Sequence, residues 1–274
     1  MSATPRMPTA EEVEAYRRDG VVVLRGAVPP EWLERVEPAV QRAWEGDGTA
    51  DLSEMADGGA GGSGRFRAGT DHWRTDPDAK AFALESPLAG IAAALMGSRS
   101  VWLWEDSFLI KAPGTAEDTR FHQDLPYFHL TGTQLATFWA PLDVVTAQTG
   151  ALRFVKGSHL WGREFTPTMF VSDDPITGAP GEAVPQIDLD GPDVMCVDME
   201  PGDLSIHDAR TLHGAGPNTS STQWRRAVSV RYCGDDVRVA FRPGLPVSPF
   251  QVVLTEGEAL SDNASTPQVW PRGA

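Results

Sequence analysis

The sequence predicts a mainly β fold, an antiparallel sandwich or barrel with α-helices gathered on its N-terminal side. From Val101 onward, short alternating runs are separated by turn residues, and the chain holds 27 Gly and 22 Pro. Strands spaced in this way, without intervening helices, are typical of antiparallel sheets rather than βαβ units. We therefore expect a single domain over 1–274, with a helical region over about 1–100 and a β core over about 101–245. The predicted strands lie in VWLWEDSFLIK, QLATFWAPLDVV, ALRFVKG, VMCVDMEPGDLSIHD, RRAVSVRYCG and VRVAFRPG.

The N-terminal part contains three predicted helices. Thr9, followed three residues later by Glu12, forms a capping-box pattern that predicts a helix start. A β-branched strand, VVVLRG, comes next at 21–26, and Pro29 and Pro30 then open a second helix. Apolar residues recurring over 77–96 predict a third.

The stretch from Gly46 to Gly64 is rich in glycine and poor in apolar residues. Such a composition predicts a mobile loop, because too few side chains are available to pack it. Whether this loop is a lid or a tether is left open by its composition.

Charge and cysteine content narrow the classes of partner. The formal net charge of −15, without a run of Lys or Arg, opposes binding to nucleic acid or to an anionic membrane surface. No segment approaches the roughly 20 uncharged residues that span a bilayer, and the N-terminus shows no secretory h-region. Cys196 and Cys233 are the only cysteines, too few for a disulfide framework. We expect a cytoplasmic protein with a small-molecule substrate; its oligomeric state is not predicted.

The octapeptide FHQDLPYF, residues 121–128, suggests a metal site. Residues two apart in a strand face the same side, so His122 and Asp124 can direct an imidazole and a carboxylate at one point. Two histidines and one carboxylate on one face of an octahedron are the ligands of non-haem iron(II) oxygenases. A third ligand is therefore needed.

The third ligand has to come from the other histidines, of which the chain has six in all. His72 lies before the β region, His129 is too near the first pair to close the site from the other side, and His159 lies in a predicted turn. His207 and His213 remain. We favour His213, because LHGAGPN passes directly into glycines, where a strand end can approach a metal closely.

FHQD, TGALRFVKGSH and GDLSIHDARTLHGAGPNTSSTQWRRAVSVRY, in this order, resemble signatures of the phytanoyl-CoA dioxygenase family of iron(II)- and 2-oxoglutarate-dependent oxygenases. The resemblance covers roughly Val21 to Phe241. It implies a double-stranded β-helix (jelly roll, cupin-like) with flanking helices. It also implies iron(II) bound by His122, Asp124 and His213, with 2-oxoglutarate as cosubstrate and O2 as oxidant.

The far carboxylate of the cosubstrate needs a cation, and Arg225 and Arg226 compete for that role. Arg225 shares its strand face with Ala227, Ser229 and Arg231, whose size leaves room for a ligand, so we favour Arg225. The family's arginine usually lies one residue nearer to the distal histidine, so this choice stays open. Gln123 and Trp139 resemble residues that line the family's cosubstrate pocket, and Thr137 shares the face of Trp139.

Further residues are weaker candidates. Tyr127, Phe128, Trp102 and Trp104 are aromatic residues that could wall a substrate cavity. The cations Arg65, Arg67 and Arg153 could pair with an acidic substrate.

The resemblance implies oxidation of an aliphatic C–H, with release of succinate and CO2. A carboxylate at position 124 favours hydroxylation, desaturation, epimerisation or ring formation over halogenation, which would need a small residue there. A free small molecule, such as a carboxylic acid or an intermediate of secondary metabolism, suits the acidic chain better than a CoA thioester with its phosphates. Two alternatives stay open: a cupin-like isomerase or lyase that does not use 2-oxoglutarate, and a noncatalytic β-sandwich binding module.

Overall fold

The computed structural model describes residues 6–54 and 63–271. The helices lie in the N-terminal part of the chain, as predicted. They are α1 (Ala10–Asp19), α2 (Pro30–Glu45), α3 (Pro77–Glu85) and α4 (Leu88–Met96).

The start of α1 confirms the capping-box prediction. Thr9 accepts a hydrogen bond from the Glu12 backbone N–H through its hydroxyl, and the Glu12 carboxylate accepts one from the Thr9 N–H. These bonds satisfy N–H groups that have no partner within the helix. The helix ends at Gly20, whose φ of 73° is left-handed and suits glycine.

The prediction of one helix over 77–96 was wrong, because two helices occupy this stretch. Ser86 is extended, with ψ of 164°, and it precedes Pro87. A proline disfavours the helical conformation of the residue before it, so α3 stops there and α4 begins anew. By length and composition, 77–96 could cross a membrane, yet 67% of that window is buried inside the protein. This burial is typical of core helices.

The strands form a double-stranded β-helix, which confirms the predicted fold class. The strands are β1 (Val21–Leu24), β2 (Ala50–Asp51), β3 (Phe66–Thr70), β4 (Val101–Lys111), β5 (Thr119–His122), β6 (Leu130–Thr131), β7 (Leu135–Pro141), β8 (Leu152–Val155), β9 (Val194–Cys196), β10 (Leu204–Asp208), β11 (His213–Ala215), β12 (Arg225–Cys233), β13 (Arg238–Val239) and β14 (Gln268–Trp270). The larger sheet has eight strands in the order β1-β10-β7-β12-β4-β3-β2, with β14 beside β4, and the smaller sheet has the order β5-β11-β8-β9. All recorded pairings between named strands are antiparallel.

Strand β12 lies between β4 and β7 in the larger sheet and separates two environments. Val228, Val230 and Tyr232 join the main hydrophobic core, which the four helices cover. The alternate residues Arg225 and Ser229 line an internal cavity instead. This division follows from the two-residue period of a strand, and it places the site on the face away from the helices.

The predicted loop over 46–64 is partly ordered. Its first residues contain β2 and a single 3-10 turn at Leu52–Glu54, and β2 pairs with β3 at the edge of the larger sheet. Residues 55–62 lie outside the described residues. The prediction of a mobile loop over these eight residues therefore stays a prediction.

Candidate metal centre and cavity

The side chains of His122, Asp124 and His213 converge. His122 ends β5, Asp124 follows two residues later, and His213 begins β11 directly opposite His122 in the strand pairing. One ligand atom from each residue lies within 4.8 Å of the others. The three residues are between 3% and 5% exposed.

Both imidazoles are oriented by backbone carbonyls. His122 Nδ1 lies 2.7 Å from the Arg120 carbonyl, and His213 Nδ1 lies 3.0 Å from the Thr211 carbonyl. A carbonyl only accepts, so the proton is on Nδ1 and the lone pair is on Nε2 in each ring. The Nε2 atoms of His122 and His213 lie 3.6 and 3.7 Å from Asp124 Oδ1. Two nitrogen donors and one oxygen donor therefore face a common centre, as metal ligands do.

The protonation states also suit a metal. Burial opposes ionisation of Asp124, but the neighbouring histidines, His213 foremost, outweigh it and hold the pKa of this carboxyl well below its usual value. Burial, reinforced by His207 and His122, lowers the pKa of His213 well below its usual value. A carboxylate and a neutral imidazole are the forms that bind metal.

Three neighbouring strands direct side chains at the other carboxylate oxygen, Asp124 Oδ2. Thr137 on β7 donates a hydrogen bond to it from its hydroxyl. His207 on β10 and Arg231 on β12 flank Thr137 in the strand pairing, and their Nε2 and Nε atoms lie 3.4 and 3.9 Å from Oδ2. Side chains of the larger sheet therefore hold Oδ2 in place and leave Oδ1 directed at the two histidines.

His207 is a buried neighbour of the centre that sequence reasoning considered only as a rival ligand. Its ring centroid lies 4.1 Å from that of His213, but the triad that could hold a metal contains His213. Alternation within β10 could place His207 on the interior face. Its closeness to Asp124 depends on the pairing of β10 with β7, which the sequence does not show.

Arg225 lines the same narrow cavity as the triad. The residue is 2% exposed, its one hydrogen bond among the described residues runs from NH1 to the Leu109 carbonyl at 3.1 Å, and its Nε is buried without a partner. Burial lowers its pKa to about 10, so it is still a cation at neutral pH. A buried cation without a hydrogen-bonded or ion-paired carboxylate fits an anionic ligand, which 2-oxoglutarate would be.

Arg226, the competing arginine, lies on the opposite face. It makes ion pairs with Asp143 and Glu37, each at 2.8 Å. These partners, Asp143 foremost, raise its pKa above its usual value. Its guanidinium therefore links β12 to Asp143 in the segment after β7 and to Glu37 in α2.

Of the other predicted cosubstrate residues, Thr137 and Trp139 line the cavity, and the Trp139 Nε1 is buried without a partner. Gln123 does not line this cavity, and its part in binding the cosubstrate stays a prediction. Gln123 donates to the backbone carbonyls of Arg163 and Arg210 and accepts from the Phe165 N–H. A side chain with these three backbone partners organises loops.

A wider cavity of about 380 Å³ adjoins the centre. Arg231, Glu105 and Ser107 are among its polar lining residues. Burial raises the pKa of Glu105 to about 7, against the opposing charge of Arg231. Tyr127 and Phe128 line it as predicted, whereas Trp102 and Trp104 do not line it and pack behind it in one apolar cluster with Tyr127 and Phe128. The apolar walls are formed by Leu52, Leu109, Tyr127, Phe128 and Phe170.

Phe170 lines both the wider cavity and the narrow one that contains the triad. Its φ of 68° is left-handed, a conformation that costs a non-glycine residue free energy. Its ring centroid lies 5.1 Å from that of His122. Nothing in the sequence around it predicts this role.

A larger cavity of about 700 Å³ is formed by residues of β5 and β8 with segments 166–175 and 183–189. Arg120 and Arg153 line this cavity, but none of the three triad residues does. Arg65 and Arg67 line neither this cavity nor the one beside the triad.

Comparison with known proteins agrees with this geometry. The family model for phytanoyl-CoA dioxygenase matches residues 16–227. The multifunctional dioxygenase ausE of Penicillium brasilianum is 26% identical over 246 residues, which cover 85% of this chain and 75% of that protein. A probable phytanoyl-CoA dioxygenase of Caenorhabditis elegans is 24% identical over 84% of this chain and 76% of its own.

Solved structures show the same fold. The non-haem α-ketoglutarate-dependent carbocyclase SnoK from nogalamycin biosynthesis has a TM-score of 0.74 and 24% identity, over 97% of this chain and 100% of that one. The epimerase SnoN, solved with Fe3+, α-ketoglutarate and nogalamycin RO, has a TM-score of 0.70 and 23% identity, over 94% and 97%. With the family model matching most of its length, the chain belongs to the phytanoyl-CoA dioxygenase family of iron(II)- and 2-oxoglutarate-dependent oxygenases.

Proposed function

We propose that the protein hydroxylates an aliphatic C–H bond of a small organic molecule of secondary metabolism. In this reaction 2-oxoglutarate and O2 are consumed, and succinate and CO2 are released. The observation that carries the proposal is the placement of Arg225 in one cavity with the His122, Asp124 and His213 triad, as a buried cation that pairs with no carboxylate of the described residues.

The triad would hold iron(II) through His122 Nε2, His213 Nε2 and one oxygen of Asp124. Three protein ligands leave the remaining positions of an octahedron for the cosubstrate and oxygen. With both groups bound, the centre supplies oxidative decarboxylation of 2-oxoglutarate coupled to oxidation of a C–H bond. The protein contributes ligand orientation and a site closed to bulk water.

Arg225 would bind the far carboxylate of 2-oxoglutarate. The buried side chain of Lys111 lies opposite it in the β12 and β4 pairing and donates to the Glu117 and Gly216 carbonyls, each at 2.7 Å. Burial, reinforced by the charge of Arg225, lowers the pKa of Lys111 well below its usual value. Lys111 does not line the cavity; among its lining residues, Arg225 and Arg231 supply the positive charge that favours an anionic ligand.

The substrate class is supported by the cavity and by the relatives. Apolar and aromatic side chains with a few polar groups are typical of small-molecule sites. The similar proteins include a dioxygenase described as multifunctional and enzymes of nogalamycin biosynthesis. The carboxylate of Asp124 is consistent with hydroxylation, and equally with epimerisation or ring formation.

The test is anaerobic addition of Fe(II) and 2-oxoglutarate to the purified protein. We expect a visible charge-transfer band that disappears in Arg225→Met and persists in Arg226→Met, the matched control on the opposite strand face. Iron uptake without the band would favour an isomerase or lyase that does not use 2-oxoglutarate. Absence of iron uptake would favour a noncatalytic module.

Turnover is tested separately by a substrate screen scored by succinate release and by identification of the product. An oxygen atom added to an aliphatic carbon supports hydroxylation. A product of equal oxygen content would replace it with desaturation, epimerisation or ring formation.

A further inference from the structure

Arg231 presents free hydrogen-bond donors to the 380 Å³ cavity. The residue is 9% exposed, and its NH1 donates to Ser107 Oγ at 2.5 Å and lies 3.6 Å from Glu105 Oε1. Its Nε is buried without a partner, and its NH2 makes no hydrogen bond within residues 6–54 and 63–271. The contact with Ser107 therefore fixes the side chain and leaves one edge of the guanidinium unused.

Nε and NH2 lie on one edge of the Arg231 guanidinium, and this edge presents two parallel N–H groups. Such a fork recognises planar oxygen acceptors. The nearest carboxylate on this edge, Asp124 Oδ2, lies 3.9 Å from Nε, beyond hydrogen-bond distance. The donors thus lie beside a metal ligand, where a substrate would be bound for oxidation.

Charge around Arg231 favours a neutral acceptor. Asp124 and Glu105 both lie within 4.0 Å of its guanidinium nitrogens. A substrate carboxylate on the free edge would lie close to both groups, and like charges at such distances repel. A carbonyl or hydroxyl oxygen meets no such repulsion, and Glu105 can accept the proton of a hydroxyl.

We propose that Arg231 determines specificity by binding a carbonyl or hydroxyl oxygen of a neutral, apolar, ring-containing substrate, and so fixes which C–H bond lies beside the triad. The inference rests on the proposed function and names its substrate class. The apolar walls receive the ring system. A buried donor left without its acceptor discriminates against analogues that lack the oxygen.

The test uses four two-ring probes on one scaffold: 2-tetralone, 2-tetralol, tetralin and the 2-carboxylate of tetralin. Their dissociation constants are measured by anaerobic calorimetry on protein loaded with Fe(II) and 2-oxoglutarate. We expect the ketone or the alcohol to bind wild type about tenfold more tightly than tetralin. The preference should fall to about onefold in Arg231→Met and be partly kept in Arg231→Lys.

Arg67→Met is the matched control. Arg67 also has a buried Nε without a hydrogen-bond partner, but it lines neither the cavity beside the triad nor the larger one. It should keep the wild-type preference. The charge-transfer band should persist in Arg231→Met, so failure of this inference is distinct from failure of the proposed function, which would remove the band from wild type.

Three results would overturn the inference. They are equal affinity for tetralin and its oxygenated forms, an unchanged preference in Arg231→Met, and tightest binding of the carboxylate in an Arg231-dependent manner. Failure of both the ketone and the alcohol to bind at their solubility limits would count against it in the same way.

Discussion

Thr137 donates a hydrogen bond to Asp124 Oδ2, while the other oxygen, Oδ1, faces His122 Nε2 at 3.6 Å and His213 Nε2 at 3.7 Å. The two oxygens of one carboxylate therefore have different tasks. One is held by the larger sheet, and the other is free to bind a metal. The rotation of the carboxylate is fixed before any ion arrives, which lowers the entropic cost of binding.

Thr137→Val should weaken Fe(II) binding by about 10- to 100-fold, because the hydroxyl that orients Asp124 is lost at nearly constant volume. Metal titration under anaerobic conditions measures this. Thr115→Val is the control, since Thr115 is equally buried but donates to the Ala112 and Arg65 carbonyls. Equal iron affinity in both variants would contradict the orienting role.

Arg225→Met should raise the KM for 2-oxoglutarate by about 100-fold, since two charge-assisted hydrogen bonds are lost. Arg226→Met should leave this KM unchanged and lower the Tm, because its ion pairs with Asp143 and Glu37 are removed. Initial rates and thermal unfolding measure the two effects. The opposite result would transfer the cosubstrate role to Arg226.

Gln123→Leu should lower the free energy of unfolding by roughly 1–3 kcal/mol, because three hydrogen bonds to backbone groups are lost. The KM for 2-oxoglutarate should stay at the wild-type value. Denaturant unfolding and initial rates test this. A raised KM without loss of stability would restore Gln123 to the cosubstrate pocket.

Asp106 should make the protein less stable as pH rises. Burial raises its pKa to about 8, against the opposing hydrogen bond from the Trp73 N–H. Between pH 4 and 8 the folded state keeps a proton that the unfolded state releases, so stability falls by up to roughly 1.4 kcal/mol per pH unit.

Asp106→Asn removes this ionisation. Thermal unfolding of the variant should depend less on pH between 4 and 8, and its Tm relative to wild type should rise towards pH 8. A variant that tracks wild type at every pH would show that Asp106 ionises normally in the folded protein.

The predictions that succeeded depend on local patterns. The two-residue period of β12 places Arg225 and Arg226 on opposite faces without knowledge of distant parts of the chain. His122 and Asp124 lie together as expected, but not through the strand period, because β5 ends at His122 and Asp124 is helical, with φ of −73° and ψ of −40°. The capping box at Thr9 is local as well. The break between α3 and α4 could also have been predicted locally, because Pro87 disfavours a helical Ser86. The regular spacing of apolar residues across 77–96 instead suggested one continuous helix.

What could not be predicted depends on pairing between distant segments. His207 reaches Asp124 only because β10 lies beside β7, and Glu105 reaches Arg231 only because β4 lies beside β12. Period and composition specify which face a side chain takes, but not its neighbour across the sheet. The hydrogen bonds of Gln123 could not be predicted either, because its position between His122 and Asp124 does not indicate that it bonds to the backbone of Arg163, Phe165 and Arg210.

The left-handed backbone at Phe170 means that its ring is held beside His122 at a conformational cost, roughly 1–3 kcal/mol for such a residue. Glycine would relieve that cost but remove the ring. Phe170→Gly should therefore fold with open space beside His122, and we expect it to consume more 2-oxoglutarate than the oxidised substrate it forms. We therefore expect the coupling of 2-oxoglutarate consumption to substrate oxidation to depend on the ring of Phe170, and the ratio of succinate to product measures it.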